Sequence, residues 1–151
     1  MRLFVRLSLF LLAAVIAIAL YASWRTPGHL YRESGVFAGC PPRPSCVSSV
    51  ASDPRQRVEP LHYRGDPASA RERLLAAINA MTGSRIQQVG PNYLHVLFVT
   101  PRMRFRDDLE LLIDAGGEIQ VRSISRFGYR DFGVNRARIE DLRRRFAALD
   151  D

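Results

Sequence analysis

The hydrophobic and polar positions divide the chain into an apolar N-terminal run, an irregular segment and a patterned C-terminal region. Residues 7–22 carry no charge and one aliphatic hydroxyl group, that of Ser8. With Arg6 able to snorkel, this run is long enough for a helix that crosses a membrane. Tyr21, near the end of this run, and Trp24, just after it, lie where an aromatic belt is expected at the membrane interface. The pattern therefore predicts an N-terminal membrane anchor over residues 1–25.

The charges on either side of this run predict its orientation. Arg2 and Arg6 precede it, which favours a cytoplasmic N-terminus and an exported remainder. We expect an uncleaved signal anchor, single-pass in the cytoplasmic membrane, with the C-terminal domain facing the periplasm or the exterior. A cleaved signal peptide is the alternative. Its best small-x-small site, Ala17-Ile18-Ala19, lies inside the apolar run itself.

Residues 26–60 are rich in proline, glycine and serine, which exclude both a helix and a central strand. This is long for a loop, so the segment is either a tether or an ordered surface segment that something holds in place. Cys40 and Cys46 enclose five residues, three of them proline. In an oxidising compartment they are expected to form a structural disulfide. A redox pair, a two-cysteine metal site and free thiols are the alternatives.

The pattern from residue 61 onward predicts a helix, about four strands and a second helix. Asp66-Pro67 has the residue types of an N-cap and a first helical position, and Gly83 is a plausible stop. The predicted strands cover residues 85–89, 93–100, 109–113 and 118–126. The second is apolar on both faces and therefore central, whereas the third alternates and therefore predicts a half-buried strand. The last helix is predicted to start at Asn135.

Short connections between these elements favour a mainly antiparallel sheet with the two helices packed on it. The fold class is thus α+β, with the domain over residues 61–151 and one transmembrane helix preceding it.

Composition first suggests nucleic-acid binding and then argues against it. The 151 residues include 22 basic ones, all arginine, and 15 acidic ones, and the sequence pI is about 10.4. Three arginines and no acid lie in residues 1–30, so residues 31–151 carry 19 arginines and 15 acids, a net charge of +4. An exported, mildly basic domain with interleaved acids fits a nucleic-acid partner poorly. Two cysteines also exclude a four-thiolate zinc site, and we expect no metal or cofactor.

Several arginines lie where a planar, bidentate cation matters more than net charge. They are Arg104, Arg122, Arg126 and Arg136. Arg122 and Arg126 alternate on one strand face, and Arg136 lies in the first turn of the last helix, whose N-terminus attracts anions. We therefore predict a site for an anionic small molecule or a lipid headgroup.

The alternative interpretation of the same residues is a structural network. In that arrangement the arginines pair with Asp107, Asp108 and Asp131, and the domain acts through contacts with a protein partner, as an envelope assembly or structural factor.

An enzyme is a further alternative, with His95, Asp107 and Asp108 as the residues of a hydrolase. A lone histidine in a strong strand is more typical of a buried residue than of a base. Neighbours in a strand point to opposite faces, which disfavours the two aspartates as an acid–base pair. We therefore predict no catalytic residues, and a non-enzymatic binding domain as the main function.

Three motifs give the sequence a family resemblance. They are Cys40-Pro41-x-x-Pro44-x-Cys46-Val47-Ser48-Ser49, Arg104-Phe105-x-Asp107-Asp108, and Val121-Arg122-Ser123-x-Ser125-Arg126-x-Gly128-x-x-Asp131-x-Gly133-Val134-Asn135-Arg136. Together they resemble the signature of the domain-of-unknown-function family numbered 1499, over about Gly39 to Phe146. The resemblance implies a domain type and often an envelope or thylakoid setting, and it implies no reaction.

Overall fold

The N-terminal apolar run forms a helix, α1 (Arg2–Trp24), in the computed structural model, which describes residues 2–25, 27–28, 30 and 36–149. The window Phe4–Tyr21 within it has a mean hydropathy of 2.4. By length and composition this helix could cross a membrane. Its large apolar side chains are mostly exposed, so the helix does not belong to the core of the domain.

Within the described residues, six strands form one antiparallel sheet in the order β1-β6-β5-β4-β3, and β2 also pairs with β6. The strands are β1 (Cys46–Ser48), β2 (Leu61–His62), β3 (Ser84–Val89), β4 (Tyr93–Val99), β5 (Arg106–Ile113) and β6 (Glu118–Ser125). The sequence predicted about four. The two additional strands are three and two residues long, too short to show a period of alternation. They form because the edge of β6 offers them backbone partners.

The segment before residue 61 is ordered where it runs along that edge. β1 pairs with β6 from Cys46 opposite Ile124 to Ser48 opposite Arg122. Cys40 and Cys46 form the predicted disulfide, with their Cα atoms 5.6 Å apart. The covered edge cannot pair with another chain, which is how natural sheets avoid association through an exposed strand.

The first helix of the domain, α2 (Pro67–Asn79), begins as its sequence predicts. The Asp66 carboxylate accepts hydrogen bonds from the backbone N–H groups of Ala68 and Ser69, at 2.9 and 3.0 Å. The helix ends at Asn79, so Gly83 is not its cap. Gly83 instead has φ 82° in the turn that leads into β3.

α2 and the last helix, α3 (Val134–Ala147), pack on the same face of the sheet and enclose the hydrophobic core. The fully buried members of this core include Leu74, Ile78, Leu94, Val96, Leu109, Leu111, Val121, Ile139 and Leu142. Each strand contributes alternate residues to the core, which leaves the other half of its side chains on the opposite face.

That opposite face is buried too. β4 is buried along its whole length, in agreement with the prediction of a central strand. β5 differs from its prediction as a half-buried strand, because Asp108 and Glu110 have no exposed surface. Buried carboxylates need partners, and these partners define the layer described next.

Candidate functional site

A layer of buried polar side chains, here called the charge layer, covers the face of the sheet opposite the helices. It consists of Tyr93, His95, Asp108, Glu110, Arg122 and Arg126. These residues come from β4 and β5 and from β6 and its end, at alternate positions that share one face. The charge layer therefore follows directly from the pairing of the three central strands.

Glu110 is the centre of one half of the charge layer. It lies directly opposite Arg122 in the β5–β6 register, and Arg122 Nη1 donates a hydrogen bond to Glu110 Oε2. The Tyr93 hydroxyl donates to Glu110 Oε1 at 3.0 Å. Burial, reinforced by the negative charge of Glu110, raises the pKa of Tyr93. The phenol is therefore a neutral hydrogen-bond donor.

Asp108 is the centre of the other half. Arg126 binds it through two hydrogen bonds, Nε to Oδ2 at 2.8 Å and Nη2 to Oδ1 at 2.7 Å. His95 Nε2 lies 2.7 Å from Oδ1 and donates to it. Burial alone would raise the pKa of Asp108, but the hydrogen bonds from His95 and Arg126 outweigh burial and lower it. Asp108 is therefore an ionised acceptor.

The Arg126 guanidinium also reaches the end of α1. Its Nη1 donates to the carbonyl oxygen of Arg25 at 2.9 Å, and the Trp24 carbonyl lies 3.4 Å away. The Arg106 guanidinium lies 4.5 Å from the centre of the Trp24 ring. The last carbonyls of a helix have no partners inside it, and a cation there complements the helix dipole. The charge layer thus holds the end of α1 against the sheet.

Asp107 lies on the helix side of the sheet, away from Asp108. Its carboxylate accepts from Arg138 Nη2 at 2.5 Å. Arg138 Nη1 donates to Asn135 Oδ1 at 2.6 Å and to Ser123 Oγ at 3.1 Å. The two neighbouring aspartates therefore form no acid–base pair, and each of them has an arginine of its own.

The residues of the alternative hydrolase do not meet at an accessible site. His95 and Asp108 are hydrogen-bonded, but both are buried, and neither lines a described cavity. A nucleophile for such a hydrolase would be a serine such as Ser48, whose hydroxyl donates to the Val121 carbonyl at 3.1 Å. β6 and β5 separate β1 from β4, so Ser48 and His95 lie about 14 Å apart at normal strand spacing.

A groove of about 480 Å³ lies between the disulfide loop and the N-terminus of α3. The charged residues that line it are Arg43, Arg55, Arg130, Arg136, Asp53 and Asp131. Four cations and two acids give this surface, here called the arginine groove, a net charge of +2. The Arg55 side chain is 89% exposed and pairs with Asp53 at 2.9 Å. Arg136 Nη2 donates to the Arg55 carbonyl at 2.9 Å.

Two of these residues are fixed by the backbone. Arg43, inside the disulfide loop, donates to the carbonyl oxygen of Ser125 at 3.1 Å, and its buried Nε has no hydrogen-bond partner among the described residues. Asp131 accepts from the N–H groups of Gly133 and Asn135 at 3.1 and 2.9 Å. Asp131 is thus structural, as one interpretation of the sequence had it, but its partners are the backbone at the start of α3 rather than arginines.

The four arginines of the predicted anion site lie apart. Arg122 and Arg126 are buried against acids in the charge layer. Arg104 lies in the exposed loop between β4 and β5, and Arg136 lines the arginine groove. The reason is geometric, because α3 packs on the face of the sheet that Arg122 and Arg126 point away from. Sequence reasoning did not single out Arg43, Arg55 or Arg130, although the disulfide loop around Arg43 was a signal for the first.

These features define a class of protein: an antiparallel α+β domain with a disulfide-bonded loop, an internal charge layer and an N-terminal helix that could span a membrane. The chain belongs to the family described as protein of unknown function (DUF1499), whose model matches residues 37–146. The family indicated by the three sequence motifs is thereby confirmed. No curated protein and no solved structure matches the chain.

Proposed function

We propose that this protein is a single-pass membrane protein whose exported domain binds an anionic ligand, without catalysis, in the arginine groove. The cytoplasmic membrane and an orientation with the domain in the periplasm or exterior are part of the proposal. A disulfide is stable in such an oxidising compartment. The basic residues that precede the apolar helix favour the same orientation.

The docking of α1 supports an uncleaved anchor over a removed signal peptide. Arg126 donates to a carbonyl at the end of α1, and Arg106 stacks on Trp24. Removal of the helix would take these contacts away from Arg126 and Arg106. A helix that contributes to the hydrogen bonding of the domain is better retained than cleaved.

The observation that carries the binding proposal is the contrast between the two sets of arginines. The guanidinium groups of Arg122 and Arg126 are buried and paired with acids, so neither presents its charge to a ligand at the surface. The arginine groove keeps a net positive charge at its accessible surface. Arginine donors favour phosphate and carboxylate groups. The N-terminus of α3 already has its anion, because the Asp131 carboxylate accepts from the N–H groups of Gly133 and Asn135.

Inorganic phosphate is the probe that tests this proposal. We expect it to stabilise the full chain in detergent micelles, at constant ionic strength, by about 1.4 kcal/mol when its concentration is roughly ten times its dissociation constant. The R130Q/R136Q variant removes two groove cations and is expected to lose most of this gain. R85Q, at an exposed position on β3 at the far edge of the sheet, is the matched control. Equal stabilisation of all three chains by phosphate would refute the proposal.

An assembly factor that contacts a protein partner is the second candidate, and one observation favours it. Phe132 is 93% exposed and has φ 55°, a left-handed conformation that a bulky residue adopts at a cost. Exposed aromatics are typical anchors of protein interfaces. Pull-down of the full chain and its F132S variant from solubilised membranes tests this candidate. We expect a partner that F132S fails to retain, and identical co-purified proteins would exclude this contact.

A further inference from the structure

The loop between β4 and β5 presents apolar and basic side chains on the side of the domain where α1 ends. Met103 is 68% and Phe105 44% exposed, and Phe127, just after β6, is 51% exposed. Arg102, Arg104 and Arg106 alternate with these apolar residues, and no acid occurs in residues 100–106. An alternation of exposed apolar and cationic groups without acids suits an anionic lipid surface better than water.

The backbone holds this loop in a defined shape. The Thr100 N–H donates to the Phe105 carbonyl at 3.0 Å, and the Phe105 N–H donates to Thr100 Oγ1 at 2.9 Å. The Arg104 N–H donates to the Thr100 carbonyl at 3.1 Å. These hydrogen bonds fix the course of the loop beyond the end of the sheet, where the side chains of Met103 and Phe105 are exposed. Their exposure is built into the fold.

The loop also faces a part of α1 that lies inside the apolar window of that helix. A cleft of about 340 Å³ separates them, and its walls include Ile16, Leu20 and Trp24 on the helix and Met103, Phe105 and Phe127 on the domain. Ile16 lies five residues inside the end of the apolar window Phe4–Tyr21. At 1.5 Å per residue this places it ~7–8 Å within the apolar span, the depth that interfacial side chains reach in a bilayer.

We propose that the β4–β5 loop and Phe127 are embedded in the headgroup region of the membrane that α1 spans, with a phospholipid acyl chain in the cleft and headgroup phosphates beside Arg104 and Arg106. This inference rests on the proposed membrane anchor. Continuity of the cleft with α1 and the cationic rim of the loop identify anionic phospholipid as the occupant. The domain is thereby held against the bilayer by a second contact besides the anchor.

Bromolipid quenching of a single indole tests the contact in the full chain. Trp24 is the only tryptophan, and W24F keeps an aromatic ring for Arg106. In that background we introduce M103W, or F127W as a second site, and V89W as the control. Val89 is exposed at the end of β3, opposite Leu94 near the start of β4, and lies ~20 Å from the β4–β5 loop at the rise of a strand. The chains are reconstituted in nanodiscs of brominated phosphatidylcholine, with or without phosphatidylglycerol.

We expect bromolipids to quench the M103W and F127W chains by roughly half or more and the V89W chain hardly at all, because only an interfacial indole lies within reach of the acyl chains. Phosphatidylglycerol is expected to increase this quenching, and high salt to reduce the increase. Carbonate extraction distinguishes a failure of the loop contact from a failure of the membrane anchor. If the chain resists extraction while M103W and F127W are quenched no more than V89W, the anchor stands and the loop contact is wrong. If carbonate extracts the chain, anchor and contact both fail.

Discussion

Replacing Arg122 with methionine is expected to lower the free energy of unfolding by about 3–5 kcal/mol. Arg122 is 1% exposed, and its partner Glu110 has no exposed surface. The R122M chain keeps the Glu110 carboxylate in a place that water does not reach, without the cation that neutralises it. Because domains of this size are stable by only about 5–15 kcal/mol, this one change approaches the limit of folding.

Urea unfolding of the full chain in mild detergent, followed by circular dichroism of the sheet, measures the effect. The E110Q/R122M variant removes both charges, and we expect it to be more stable than R122M alone, since the cost comes from the unpaired ion. R144Q is the surface control, because Arg144 pairs with Asp141 at a site where its side chain is 70% exposed. Its expected loss is below about 0.5 kcal/mol. An R122M chain as stable as R144Q would show that the buried pair contributes nothing.

The parts of the fold that could be predicted have local signals. Asp66-Pro67 sets the start of α2 through bonds within three residues. β4 shows itself as central because both of its faces are apolar. The apolar run that forms α1 needs no tertiary contact to be recognised. In each case the residues that decide the structure are close together in the chain.

The two short strands and the arginine groove could not be predicted in this way. β1 and β2 exist because β6 offers them an edge, and that edge is more than fifty residues away in sequence. The groove joins Arg43 in the disulfide loop to Arg130 and Arg136. No pattern in the sequence indicates that these segments line the same groove.

The charge layer could be predicted from the sequence only in part. The turn at residues 114–117 pairs Ile113 with Ile119, and this register places Glu110 opposite Arg122. The two alternating acids of β5 could therefore have been matched, from the hairpin alone, with the two arginines that share one face of β6 and its end. The sequence does not reveal that this polar face is buried, because an acidic residue in a predicted strand is normally expected to face solvent.

Replacing Asp108 with asparagine is expected to lower the free energy of unfolding at neutral pH by about 3–5 kcal/mol. It is also expected to make the loss of stability at acid pH less steep. Arg126 and His95 both donate to this carboxylate. An amide carries no charge and turns an NH₂ group toward one of the donors. D108N therefore leaves the Arg126 guanidinium partly unpaired in a buried position.

The pH dependence follows from the lowered pKa of Asp108. Burial acts to raise this pKa, but the hydrogen bonds from His95 and Arg126 prevail, so it lies below the ordinary value of 3.8. Such a carboxyl stabilises the fold above its unfolded-state pKa of about 3.9, and the stabilisation disappears as the pH falls through the folded-state pKa. We expect the native chain to lose stability below about pH 4, at up to ~1.4 kcal/mol per pH unit from this group.

Urea unfolding from neutral pH down to about pH 3 measures this slope. D108N is expected to keep a smaller slope, because Asp66 and Asp141 also have lowered pKa values, through hydrogen bonds from Ser69 and from Arg145. If the stability of D108N fell with pH as steeply as that of the native chain, the acid sensitivity would belong to other carboxyl groups such as these instead.

The D108N variant also tests whether the charge layer holds the end of α1. Trp24 is the fluorescent probe of that helix end. Arg126 shares its guanidinium between Asp108 and the end of α1, so D108N is expected to loosen that helix end and shift Trp24 emission to the red, with faster trypsin cleavage after Arg25. D107N is the matched control, since Asp107 pairs with Arg138 on the other face. It should destabilise the domain while the emission of the folded chain stays constant. Equal shifts in both variants would assign the change to overall loosening, whereas a shift in D108N alone would identify Asp108 as the residue that couples the sheet to the anchor.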